Sequence, residues 1–433
     1  MSAEFTTSST TAPLPEALAH AADLAAFVTA SPSSFHAAAE VARRVRDAGF
    51  EQLVESDAWP AGPGRRVVVR DGAVIAWVVP DGADATTPVT ILGTHTDSPG
   101  FKLKPIPATS RAGWQQAAVE IYGGPLLNSW LDRELGLAGR VVTRGGEHLV
   151  RTGPLLRIPQ LAIHLDRQVN DGLTLDKQRH TQPVWGLGDS TDLLAAVVGD
   201  VCDPADVLGY DLTVVDTQEP RTFGADDELF ASARLDNLLS THAAVTALLA
   251  ALDTTADPTV ISVVAAFDHE EVGSATRSGA GGPFLADVLA RIRDGLGADA
   301  EQAHRALADS ICISSDVGHS VHPNYPERHD PLTVPVAGGG PILKINANQR
   351  YATDAVGIAL WSDACERAGV PSQAFVSNNS VPCGSTIGPI TATRLGIRTV
   401  DVGVPILSMH SARELTATVD PWYLTRAMTS ALA

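Results

Sequence analysis

The sequence predicts an α/β protein: a mainly parallel sheet with helices on both faces, interrupted by an inserted β-rich domain. Three observations carry this. Charge-free, β-branched runs such as Val260-Ile261-Ser262-Val263-Val264 read as strands buried on both faces, as parallel sheets require. In the first and last parts of the chain such runs alternate with segments of helical periodicity. Between about Pro105 and Leu212 that alternation gives way to glycine, proline and short β-like runs.

Taken in order, residues 1–14 are expected to form a flexible tail. From Pro15 to about Thr29 apolar residues recur at helical spacing, and the proline suits a first turn. Ser31-Pro32-Ser33-Ser34 breaks the pattern and can cap a second helix, 35–48, which Gly49 ends. Residues 66–70 and 73–79 flank an Asp71-Gly72 turn and read as a hairpin. The next strand, 89–93, runs into Thr94-His95-Thr96-Asp97. The β-rich stretch holds strand-like runs at 114–121, 137–143 and 155–157, turns at Gly123-Gly124 and Gly145-Gly146, and some helix near 190–201. A strand at 212–216 follows, then a helix at 238–252 and the opening strand. A helix at 283–295, a strand at 310–315, a loop at 318–341 and a helix at 355–367 come next. Strands at 375–376 and 399–404 precede a terminal helix. The expected division is one domain from 15–104 plus 213–433, with 105–212 inserted into it.

The chain of 433 residues fits two or three units at about 150 residues each. Its net charge of -19 argues against nucleic acid, whose phosphates need a basic footprint, and against anionic membrane surfaces. Cys202, Cys312, Cys365 and Cys383 are widely spaced and suggest neither a disulfide framework nor a thiolate metal site. The N-terminus lacks a charged start and apolar centre, and no run is long enough to span a membrane, so a cytoplasmic protein is expected.

The ionisable residues of interest each follow an apolar strand or stand where a helix begins: His95 with Asp97, Asp236, Glu270 with Glu271, Asp316 and His410. In a parallel sheet those ends face one way, so residues far apart in sequence can converge on one rim. Imidazoles and carboxylates without thiolates are the ligand set of zinc, manganese or cobalt engaged in hydrolysis. Two histidines and three acids suffice for two ions sharing one carboxylate. The Glu270-Glu271 pair then divides its work: one acid binds metal and the other takes a proton from water. Asp97, two residues after His95, can orient that imidazole.

The segments Gly93-Thr94-His95-Thr96-Asp97-Ser98-Pro99-Gly100, Ala233-Arg234-Leu235-Asp236-Asn237, Asp268-His269-Glu270-Glu271-Val272-Gly273-Ser274, Ser315-Asp316-Val317-Gly318-His319, Lys344-Ile345-Asn346-Ala347-Asn348, Pro382-Cys383-Gly384-Ser385 and Met409-His410-Ser411 resemble, in order, the aspartyl aminopeptidase family. The resemblance runs from about Ser31 to Glu414 and implies a zinc-exopeptidase-like fold. It implies a two-metal aminopeptidase, most simply with zinc, that removes N-terminal acidic residues from peptides. Asp236 would bridge the ions, His95 and Asp316 would hold one, and Glu271 and His410 the other. Glu270 would be the general base and Asp97 the support of His95. His164 would reach a neighbouring subunit's site to contact substrate, or serve as an alternative metal ligand. Lys344 would read the acidic side chain. His319 and His322 are expected to anchor loops or support the site. The insert would drive assembly into a large homo-oligomer, commonly of twelve subunits. In one respect the chain departs from the pattern: Ser377-Asn378-Asn379-Ser380-Val381 carries no acid where the family often has an aspartate. That leaves open relaxed specificity, alongside a related two-metal hydrolase or a catalytically silent assembly protein.

Overall fold

The strands Ile261–Phe267, Val89–His95 and Ile311–Ser315 lie side by side and parallel, and Arg398–Gly403 continues in the same sense. They form the centre of a nine-stranded sheet in the computed structural model, which describes residues 13–189, 192–199, 201–252 and 259–433. The sheet order is Glu51–Gln52, Gly64–Arg70, Ala73–Val79, Ile261–Phe267, Val89–His95, Ile311–Ser315, Arg398–Gly403, Ile342–Ile345 and Gln373–Val376. Antiparallel pairings occur only outside the centre, one of them the expected hairpin, with Arg70 opposite Ala73. The parallel centre therefore delivers His95, Ser315 and the residues after Phe267 and Gly403 to one edge. Of the expected tail, only residues 13 and 14 are among those described.

Helices cover both faces of this sheet. On one side lie Pro15–Ala30, Ser34–Asp47, Leu235–Ala251, Ala355–Ala368 and Asp420–Leu432, packed through Leu24, Val41, Leu239, Trp361 and Met428. On the other lie Phe284–Gly295 and Ile387–Leu395, which set Phe284, Leu289 and Ile387 against Ile75, Ile91 and Val263. Each of these side chains is almost fully buried, and each such burial contributes about 1.5–3 kcal/mol. The second helix begins where expected, because the Ser33 side chain accepts the His36 N–H.

A six-stranded antiparallel sheet hangs from the same edge: Gly146–Arg151, Leu135–Thr143, Gly209–Asp216, Gly100–Arg111, Trp114–Tyr122 and Val184–Leu187. It has its own core of Phe101, Leu137, Leu212 and Val197. Its first strand starts five residues after His95, so the two sheets join at the rim. The hairpin turn falls at Ala112-Gly113, both with positive φ, and not at Gly123-Gly124. After Tyr122 the chain leaves the sheet instead of folding back. The run expected at 155–157 is not a strand, Leu156, Arg157 and Ile158 forming isolated bridges, and the helix expected near 190–201 is Leu193–Val198 among the described residues. A small sheet of Arg221–Phe223, Leu229–Ser232 and Glu414–Ala417 has no counterpart in the sequence reading. Among the described residues no helix is long and apolar enough to cross a membrane.

Candidate metal centre

His95 is the last residue of its strand, and Glu270 and Glu271 form a one-turn helix just past Phe267. That turn is bracketed by left-handed His269 (φ 64°) and Gly273 (φ 95°). Asp316 follows Ser315 directly, and Asp236 stands at the start of Leu235–Ala251 behind left-handed Arg234 (φ 57°). His410, also left-handed at φ 65°, sits in the loop after Pro405–Ile406. Left-handed non-glycine residues cost about 1–3 kcal/mol each, and their concentration here marks a place shaped for something other than stability.

The six residues meet. His95 Nε2 lies 3.2 Å from Asp236 Oδ1, 3.5 Å from Asp316 Oδ1 and 3.9 Å from Glu270 Oε2. His410 Nε2 lies 3.3 Å from Asp236 Oδ2 and 3.5 Å from Glu271 Oε2. Both rings are aimed from behind. His95 Nδ1 is 3.1 Å from the Asp97 carbonyl, and His410 Nδ1 is 3.0 Å from the Gly124 carbonyl. A carbonyl only accepts, so in each neutral ring Nδ1 carries the proton and Nε2 presents its lone pair to the centre.

Asp97 itself is buried and fully used. Its Oδ1 accepts the Glu270 N–H at 3.0 Å, and its Oδ2 accepts the Glu271 N–H at 3.1 Å and the Tyr122 hydroxyl at 2.7 Å. Gly123 (φ 66°) passes so close that a Cβ there would stand 3.1 Å from Glu271 Cβ, in a conformation only glycine takes freely.

Four buried atoms at the centre have no hydrogen-bond partner: His95 Nε2, Asp236 Oδ1, Glu271 Oε1 and Asp316 Oδ1. Buried polar atoms are ordinarily paired, so their convergence fits a site for a cation. Three overlapping sets, His95–Asp236–Asp316, Asp236–Glu271–His410 and His95–Glu270–Glu271, each bring donor atoms within 4.8 Å of one another. The electrostatics agree. Burial, opposed by His95 and reinforced by Asp316, Asp236 and Asp97, pushes Glu270 up to about 7. Burial and Asp236 hold Glu271 well above the carboxylate range. Burial would lower His410, but Asp236 raises it to about 9. Crowded carboxylates of this kind are what a divalent cation relieves, and the oxygen and imidazole donors suit zinc.

Lys344 occupies a strand, Ile342–Ile345. It is 2% exposed, donates to the Val317 carbonyl at 2.9 Å and lies 3.6 Å from Asp316 Oδ2. Its ammonium is 5.4 Å from the Tyr351 ring. Beyond Tyr351 opens a cavity of about 330 Å³ lined by His319, His322, Arg328, His329 and Cys383, with no Asp or Glu among its described lining residues. His322 anchors its loop by accepting the Asn324 N–H, and neither it nor His319 joins a candidate metal set. His164 stands apart, exposed on a turn of the six-stranded unit. The residues that sequence chemistry does not flag are Tyr122, Gly124 and Glu414. They carry no signature of their own and gain meaning only from what they touch.

A mainly parallel α/β sheet with an acid–imidazole centre on its C-terminal edge defines a metal-dependent hydrolase. The family model of the aminopeptidase I zinc metalloproteases (M18) matches residues 27–430, and the chain belongs to this M18 family of zinc aminopeptidases. It is 56% identical over 420 residues to a probable M18 family aminopeptidase 2 of Streptomyces avermitilis, spanning 95% of this chain and 97% of that one. A solved complex of Ape4 and Nbr1 contains a chain that superposes with a TM-score of 0.93 at 36% identity, over 96% of this chain and 85% of that one. The mApe1 dodecamer of S. cerevisiae gives 0.83 at 29% identity over 95% of each chain.

Proposed function

We propose that this enzyme removes acidic residues from the free N-termini of peptides at a centre of two zinc ions. The observation that carries the two-ion reading is the single carboxylate of Asp236, whose two oxygens face two different histidines at 3.2 and 3.3 Å. His95 and Asp316 would hold one ion, Glu271 and His410 the other, and Asp236 both. Zinc bound there would polarise the scissile carbonyl and make water acidic near neutral pH. Glu270 is the proton carrier: it is not needed as a ligand, and its Oε2 stands beside the centre, 3.9 Å from His95 Nε2. It takes the proton of the attacking water and returns it to the departing amine. Asp97 holds the backbone of both glutamates and the His95 ring in register.

The acidic preference is supported by the cavity beyond Tyr351, whose basic lining residues among those described are three histidines and an arginine. Lys344, behind that wall, adds a fixed positive charge. An aspartate or glutamate side chain entering this space meets no like charge. The residues 377–381 contribute no acid there, and the Asn378 amide is occupied with the Glu327 and His329 carbonyls.

The unit between 105 and 212 is read as the assembly domain, carrying His164 to a neighbouring subunit's substrate within a large homo-oligomer, with twelve subunits expected. Exposed Leu161, Ile163 and Leu165 around His164 support a covered surface there. A cytoplasmic setting belongs to the same reading, since Cys202, Cys312, Cys365 and Cys383 stand as thiols.

The test is turnover of Asp-, Glu- and Leu-starting peptides by enzyme stripped of metal and titrated with zinc, cobalt or manganese. Activity should rise until two ions are bound per subunit, with the acidic peptides fastest. Full activity at one ion removes the two-ion reading. Equal rates on the leucine peptide remove the acidic preference.

A further inference from the structure

Glu414 opens the strand Glu414–Ala417, which pairs antiparallel with Leu229–Ser232, Glu414 lying opposite Ser232. That pairing draws together the segment that carries Asp236 and the one that carries His410. Between them the Glu414 carboxylate is buried, at 2% exposure. Its Oε1 accepts the His410 N–H at 2.8 Å, and its Oε2 accepts the Asp236 N–H at 3.0 Å. The side chains of the same two residues face each other, His410 Nε2 at 3.3 Å from Asp236 Oδ2. One carboxylate thus ties the backbones whose side chains form two parts of one metal set.

The arrangement mirrors Asp97, which ties the backbones of Glu270 and Glu271. Packing alone does not demand a charge at Glu414. A buried carboxylate is costly unless its oxygens are hydrogen-bonded, and an apolar side chain would fill the space without that cost. What an apolar side chain could not do is accept two converging N–H groups from two separate loops. His410 sits in a left-handed conformation at φ 65°, so its loop needs an outside hold to keep the ring in place.

We propose that Glu414 is a positioning residue that sets the distance between Asp236 and His410, and thereby the affinity of the ion these two hold with Glu271. The inference rests on the two-ion reading above. Two of the three donors at that ion hang from Glu414, against one of three at the His95–Asp236–Asp316 set, so the first ion loses more when Glu414 is altered.

The test is a zinc titration against a competing chelator, with thermal unfolding measured in parallel on the same full-length samples. Glu414→Gln keeps the shape but offers one accepting oxygen and turns an amide N–H₂ toward the other donor. Wild type should bind two ions. E414Q should bind one ion about 10–100-fold more weakly, the range seen when outer partners of metal ligands are removed, and the other ion with a smaller loss. Glu414→Asp, which keeps both oxygens but falls a methylene short, should lie between the two. E414Q binding two ions at wild-type affinity overturns the proposal. So does equal weakening of both ions together with a lower melting temperature, which is what a purely structural role predicts. A wild type that binds a single ion removes the two-ion reading instead; in that case E414Q binding the ion as tightly as wild type also removes the role of Glu414, and weaker binding upholds it.

Discussion

The backbone N–H of Glu270 donates to Asp97 Oδ1 at 3.0 Å, so Glu270 is held by its main chain while its carboxylate faces the centre, 3.9 Å from His95 Nε2. Glu270→Gln keeps that main-chain bond and removes only the proton-accepting oxygen. Turnover should fall about 100- to 10,000-fold, the usual contribution of a general base, while zinc content stays at the wild-type level. Single-turnover kinetics beside metal analysis checks this. Near-normal turnover would sink the assignment of Glu270.

Lys344 offers two readings that one variant separates. Its ammonium touches the Val317 carbonyl and approaches Asp316, yet it also lies behind the histidine-lined cavity. Lys344→Met keeps the buried stem and deletes the charge. If the charge reads substrate, kcat/KM should drop on Asp-starting peptides far more than on Leu-starting ones, by about tenfold or more for a loss of 1.4 kcal/mol. An equal drop on both, with weaker zinc binding, would mean that Lys344 serves Asp316 alone.

His164 is exposed and joins none of the candidate metal sets among the described residues, and its proposed place in a neighbouring subunit can be tested directly. His164→Ala and Glu270→Gln should each be inactive as pure assemblies. Mixed assemblies should regain activity, because a subunit with intact Glu270 would receive His164 from its partner. Co-purified mixed oligomers that stay inactive would rule out a contribution in trans.

One contribution to stability, that of His36, should decline in mild acid. Burial, with Arg151 and Arg234 nearby, lowers His36 from 6.5 to about 4, and its Nδ1 lies 2.8 Å from the Ser33 hydroxyl that caps the helix. The unfolded chain binds a proton near 6.5 and the folded chain only near 4, so the unfolded state carries more protons in between. The contribution is therefore whole above 6.5 and lost as pH falls toward 4. His20, lowered to about 3 by burial and His242, adds to the same trend. Between about pH 7.5 and pH 4.5 the urea midpoint of the wild type should fall relative to that of His36→Gln. A constant difference between the two would place the acid sensitivity elsewhere.

The parallel centre of the fold was legible because Ile261–Phe267, Val89–His95 and Ile311–Ser315 are apolar runs that stop abruptly on ionisable groups. The convergence of His95, Asp236, Glu270, Glu271, Asp316 and His410 followed from that one geometric fact. The strand that holds Lys344 was not legible, because Ile342–Ile345 is only four residues long and follows Gly338-Gly339-Gly340. Gly123-Gly124 was misread as a hairpin turn because its composition is that of a turn, whereas its purpose is close approach to Glu271 and His410. Tyr122 and Glu414 were illegible for a different reason. Each is ordinary in its own segment, and its partner is supplied by strand pairing or by a second sheet, which no local pattern encodes.

Tyr122 and Gly124 belong to the six-stranded unit, yet the hydroxyl of one ends on Asp97 and the carbonyl of the other on His410. A shortened chain joining Pro99 to Thr217 by a linker would retain every acid and imidazole of the centre. It would still have lost the two groups that aim them. The seam between the sheets is thus no place to cut: the smaller unit cannot be swapped for a foreign module, or transplanted alone, without misaligning chemistry that is nominally housed in the larger one.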